Sequence, residues 1–114
     1  MAVQRIGRLP ALSRKEAELK EAIKAEIRRP ENAKAPKGAP KVIAEEGGGP
    51  GNYVHYYVIW DGFEGLDMEA RSRIVFQALK EEAGQAEALR TTIAMGLTRE
   101  EAEEMYPFLL HRYP

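Results

Sequence analysis

Residues 61–75 read DGFEGLDMEARSRIV, and they begin where the apolar run YVHYYVIW of residues 53–60 stops. The two sides of this junction have different periods. Upstream, side chains alternate: Tyr53, His55, Tyr57 and Ile59 fall on one face, Val54, Tyr56, Val58 and Trp60 on the other, which is the pattern of a β-strand. Both faces are apolar or aromatic, so the strand is expected in the middle of its sheet, or with an aromatic face turned to a partner. Downstream, Gly62 and Gly65 suit a tight turn, and Asp67 stands where a helix N-cap belongs. Arg71, Ile74, Val75, Ala78 and Leu79 then trace one face of an amphipathic helix that Gly84 ends.

Working towards the N-terminus, GGGPGN at 47–52 permits chain reversal, so the short strand KVIAEE at 41–46 is expected antiparallel to 53–60. The three prolines of PENAKAPKGAP at 30–40 remove backbone donors and mark a connector. Before it, Ser13 and Glu16 have the spacing of a capping box, and Leu19, Ala22, Ile23 and Ile27 recur at helical spacing up to Pro30. Towards the C-terminus, Leu89, Thr91, Ile93 and Met95 alternate with Arg90, Thr92 and Ala94, the pattern of a third strand. Thr98 to Glu101 opens a second capping box, with a short helix to about Tyr106. The expected order is α-β-β-α-β-α: an α+β fold with a three-stranded sheet and helices packed on one face. Residues 1–12 are expected as a flexible basic tail, 13–106 as a single domain and 107–114 as a C-terminal tail.

The totals bound the function. A chain of 114 residues, 44% hydrophobic and 31% charged, fits one domain with one modest core. It has no cysteine, which excludes disulfides and thiolate metal sites. The N-terminus lacks a signal-peptide core and no apolar run is long enough to span a membrane, so a cytoplasmic protein is expected. The net charge of −1 conceals an asymmetry. Residues 1–41 hold 11 Lys and Arg against 5 acids, or +6, and residues 42–114 hold 6 against 13, or −7. The two halves are expected to attract each other, or the basic arm to meet an external anion.

The element order, the Gly-rich loop between the first two strands, and Phe63-Glu64-Gly65 before a helix carrying R-x-R-x-V together resemble the BolA-like family, whose fold is related to the type II KH arrangement. Ala88-Leu89 at the opening of the third strand and Thr98-Arg99-Glu100-Glu101 at the last helix extend the resemblance from about Ser13 to Met105. It implies a small regulatory or iron–sulfur trafficking partner of monothiol glutaredoxins, in some members with DNA binding. It also implies a histidine between the two basic residues of the helix. Here that residue is Ser72, between Arg71 and Arg73, and GGGPGN supplies no second ligand. An iron–sulfur iron needs thiolate or imidazole donors, so no ligand is carried over and no cofactor is expected. The scaffold positions that transfer are Phe63, Gly65, Arg71, Arg73, Val75, Ala88 and Leu89.

The remaining candidates are modest. The two imidazoles, His55 within the aromatic strand and His111 beyond Pro107, are not at ligand spacing. Gly62-Phe63-Glu64-Gly65 matches the G-x-x-G of KH domains, but Asp61, Glu64, Asp67 and Glu69 make its surroundings acidic, which repels phosphate. The only serines are Ser13, a cap, and Ser72, with no histidine near in sequence, so no nucleophile is assembled and no enzyme is expected. The expected function is a non-catalytic BolA-like module that binds a protein, with a homodimer as one form. Its candidate contacts are Arg71, Arg73, Arg90, Tyr53, Tyr57 and Trp60. The alternatives are a KH-type nucleic-acid binder using the basic arm and the helix arginines, and a glutaredoxin-linked iron–sulfur partner.

Overall fold

The computed structural model describes residues 11–47 and 52–114. The expectations for the basic N-terminal segment with Arg5 and Arg8, and for residues 48–51, lie outside them. Helix α1 spans Arg14–Arg28. Its start is the reciprocal box the sequence spells: the Glu16 amide donates to Ser13 Oγ at 3.1 Å and the Ser13 amide to Glu16 Oε1 at 2.9 Å. Strands β1 (Lys41–Glu46) and β2 (Val54–Ile59) form an antiparallel pair, with Ile43 opposite Tyr57 and Glu45 opposite His55. A 3₁₀ turn over Asp61–Phe63 leads to α2, Met68–Ala83. Asp67 caps α2 by accepting from the Ala70 amide at 2.8 Å, and Gly84 follows it at φ 97°, a conformation that favours glycine.

Between α2 and the last strand lies a helix the alternation rule misses: α3, Gln85–Arg90. Ala88 and Leu89 therefore do not open the third strand. QAEALR is built of strong helix formers, and the Thr91 hydroxyl closes the turn on the Glu87 carbonyl at 2.8 Å. Ala88 is buried, whereas Leu89 is 77% exposed. Strand β3, Thr91–Leu97, then runs parallel to β2, and the sheet order is β1-β2-β3, with β2 central as its two-sided apolar pattern requires. Helix α4, Arg99–Met105, carries the second capping box.

The sheet has a core on each face. On one, Ile23 of α1 and Ile74, Val75, Ala78 and Leu79 of α2 pack with Phe63 and Val58. Phe63 and Val75 thus join helix to sheet as expected, but the helices, expected on one face only, lie on both: α1 and α2 cover this one. The opposite face is covered too. Ile43, Tyr57, Ile59 and Leu97 pack there with Ala102 of α4 and Leu109 of a further helix, α5, Pro107–Arg112. The stretch expected as a tail from 107 is therefore a docked helix. Proline, read as a terminator, here fills the first helical position, where its missing N–H costs nothing. Leu109 is fully buried, so Leu109→Ala is expected to cost about 2–4 kcal/mol in urea unfolding. A loss below about 0.5 kcal/mol would mean that α5 does not dock.

The charge asymmetry is answered in part within the chain. Along the α1–α2 seam Lys20 and Lys24 meet Glu81 at 2.8 and 3.2 Å, and Arg28 meets Glu82 at 2.8 Å. These hydrogen bonds to Lys20 and Lys24 hold the Glu81 carboxyl below the usual carboxylate range. The seam is partly exposed, so Glu81→Gln is expected to cost no more than about 1 kcal/mol. The difference from the wild type should shrink at high salt; a salt-independent difference would point to packing instead.

Candidate functional site

The arginines proposed as contacts each have an internal partner. Arg71 is only 5% exposed. Its Nε donates to the Leu66 carbonyl at 2.9 Å, and its Nη1 to the Gly96 carbonyl at 3.3 Å and to the Glu101 carboxylate. The guanidinium also lies 5.9 Å from the Phe63 ring centroid. Arg71 is thus a clamp between α2, β3 and α4, not a contact for a partner. Five donors in a planar fork can satisfy carbonyls and a carboxylate at once, which is what a buried position requires. Hydrogen bonding from Arg71, followed by that from the Thr98 amide, pulls the Glu101 carboxyl below its ordinary range.

Arg90 pairs with Glu87 on its own helix and with Glu46 at 3.5 Å, and donates to the Asn52 carbonyl at 3.3 Å. It fastens α3 to the β1–β2 end of the sheet. Arg73 reaches Glu16 Oε2 at 3.5 Å, linking α2 to the first turn of α1. Its Nε is buried and finds no acceptor among the described residues.

The aromatic candidates separate in the same way. Tyr57 is buried in the second core, its ring tilted against Tyr106 at 6.2 Å, and burial pushes its phenol upwards. Trp60 donates from Nε1 to the Gly38 carbonyl at 2.9 Å and meets the Phe63 ring edge-on at 5.6 Å. It holds the proline-rich connector to the core. Only Tyr53 stands largely free, at 49% exposure. Gly65 has φ 87°, so the G-x-x-G segment is read as a turn that needs its glycine. His55 packs edge-on to Tyr57 at 6.4 Å, and His111 is exposed on α5. Among the described residues no three His, Asp or Glu side chains gather to hold a metal, and no helix is long and apolar enough to cross a membrane.

What the sequence did not point to is a groove of about 560 Å³ between α2 and β3. Glu69, Ser72, Arg73 and Phe76 line it from the helix, and Thr91 to Met95 from the strand. β3 is an edge strand, and among the described residues nothing pairs with its outer side. The Leu97 carbonyl faces β2, since it accepts from the Trp60 amide at 2.7 Å. Because the polar groups of a strand alternate in direction, those of Met95 and Ile93 also face β2, while those of Ala94 and Gly96 face outwards; the register shift between Thr91 and Ile93 interrupts the alternation at Thr92. Arg71 takes the Gly96 carbonyl. The outward groups of Ala94 remain along the groove.

No family model matches the chain, and neither does a curated protein or a solved structure.

Proposed function

We propose that this protein is a non-catalytic, BolA-like binding module that takes an extended segment of a protein partner onto the outer edge of β3. The observation that carries the reading is the open edge itself. Thr91 to Met95 carry no charge and no proline, two of the devices by which edge strands avoid pairing; the one irregularity is a register shift at Thr92, ahead of the regular stretch from Ile93 to Leu97. Strand addition supplies affinity through backbone hydrogen bonds and specificity through alternate side chains, here seated in the groove beside Phe76. Support for the BolA-like assignment comes from the element order and from Phe63-Glu64-Gly65 ahead of α2; Ser72, which lines this groove, departs from the family's pattern by standing where its histidine is expected. With serine there, binding would proceed without a cluster. A monothiol glutaredoxin is the partner the resemblance implies.

Nucleic acid is the weaker reading. Arg71, Arg73 and Arg90 each already face a carboxylate, and Glu69 stands at the groove, so a phosphate chain would meet little free positive charge.

A labelled peptide of about eight residues, alternating Thr and Val between terminal lysines, tests the reading by fluorescence anisotropy. Saturable binding should be lost in Ala94→Pro, which removes an outward N–H but none of the donors facing β2. Equal binding by the variant would refute edge addition. Gel filtration with a monothiol glutaredoxin, with and without cluster, tests the named partner: co-elution independent of cluster is expected.

A further inference from the structure

We infer that the end of the sheet away from the β1–β2 turn holds a site for a small organic oxyanion, seated between Lys41 and Arg99 with its apolar body against Trp60. A cavity of about 510 Å³ lies there, where the connector enters β1, β2 runs into the 3₁₀ turn and α4 begins. Lys41 and Arg99 line it together with Ile59 and Trp60, so two cations and an apolar wall share one space. Few polar groups converging on an apolar cavity is the usual composition of a small-molecule site. The cavity shares no lining residue with the β3 groove, and neither reading depends on the other.

Lys41 departs from the pattern of the other half-buried cations. Lys20, Lys24, Arg73 and Arg90 each meet a glutamate. Among the described residues, Lys41 Nζ has the Tyr113 and Pro114 backbone oxygens as its partners in place of an Asp or Glu. Residues 1–10 and 48–51 contain no acid that could complete a pair. Burial, followed by the charge of Arg99, holds the Lys41 ammonium below its ordinary range. An oxyanion between the two side chains favours both charged forms at once. Arg99 can turn to it, because its side chain is 61% exposed and its partner Glu103, at 3.4 Å, is an exposed neighbour on the same helix. Asp61, the acid on the cavity wall, is already engaged by the Arg99 amide, which donates to Oδ1 at 3.0 Å. The apolar wall is fixed in advance: Trp60 Nε1 is held by the Gly38 carbonyl, and a Cβ on Gly62 would lie 2.6 Å from the indole Cε2.

Trp60 is the only tryptophan, so its fluorescence reports on this cavity. Titration of the full chain with benzoate and with phenyl phosphate should change the emission saturably, with a Kd of about 1 mM or tighter for at least one of them. Tighter binding of benzoate assigns a carboxylate, and tighter binding of phenyl phosphate a phosphate. Benzamide, similar in shape to benzoate but uncharged, should give no saturable change. Lys41→Gln and Arg99→Gln should each weaken anion binding about tenfold, with an unchanged circular dichroism spectrum. The Arg99 side chain is exposed, so that variant gives the reading if Lys41→Gln fails to fold. No saturable change with either anion up to about 20 mM overturns the site. So does an equal response to benzamide, or undiminished anion binding by folded Arg99→Gln.

Discussion

Arg71→Met should lower the free energy of unfolding by about 3 kcal/mol, measured in urea at neutral pH. The side chain is almost fully buried and joins three elements, donating to Leu66 of the turn, Gly96 of β3 and Glu101 of α4. Methionine fills part of the volume but leaves two carbonyls and a carboxylate without their donor. The Glu101 side chain is 34% exposed and can recruit water, which keeps the loss at the lower end of what a broken buried pair costs. Acid dependence distinguishes lost charge pairing from lost packing. Glu101 is held below the ordinary glutamate pKa of 4.5, with the Arg71 hydrogen bond as the first cause. A carboxylate whose folded pKa is depressed contributes stability that is fully present above the unfolded value and is lost as pH falls through the folded one. The wild type should therefore lose stability in that acid window, and Arg71→Met should lose less there. A variant with the same acid dependence as the wild type would show that Arg71 does not set the Glu101 titration.

Phe63→Ala should cost about 3–5 kcal/mol. The ring is fully buried, touches Val58 and the α2 residues of the first core, and meets Trp60 edge-on. Its seat explains a glycine in a strand. A Cβ on Gly96 would lie 2.8 and 2.9 Å from Phe63 Cε2 and Cζ and 3.0 Å from Arg71 Cβ. Gly96→Ala should thus destabilise by about 1–3 kcal/mol through overpacking. The two changes are coupled through contact: Phe63→Ala makes room for the new methyl, so the double variant should lose less than the sum of the single ones. Strict additivity in a double-mutant cycle would contradict the contact.

Most of the scaffold is legible in the sequence because it rests on local rules. Ser13 with Glu16, Asp67, Gly84 and Thr98 with Glu101 mark helix ends through backbone hydrogen bonds that need no tertiary information. The two-sided apolar pattern of residues 54–59 likewise puts β2 in the middle of the sheet. The failures occur where two local rules compete. At Leu89 an alternating pattern competes with helix propensity, and propensity prevails in the fold. At Pro107 the same residue that can end one helix begins the next.

The site was less legible, for a tertiary reason. An arginine is ordinarily a surface residue, yet Arg71 lies on the same helical face as Val75 and Ala78, and that spacing was the signal of its burial. Tyr57 and Trp60 are large aromatics that packed inwards, while the groove is lined by ordinary residues such as Ser72, Thr92 and Ala94. Nothing local distinguishes an edge strand from an inner one. Only the order β1-β2-β3 makes the outer groups of β3 available.

The most direct test of the edge reading is residue-resolved amide exchange in dilute, monomeric protein, before and after saturation with the Thr/Val peptide. The free protein should protect the Ile93 and Met95 amides, which face β2, and leave Ala94 open; the peptide should then slow exchange at Ala94. Protection gained instead around Tyr53 to Trp60, with Ala94 unchanged, would contradict it.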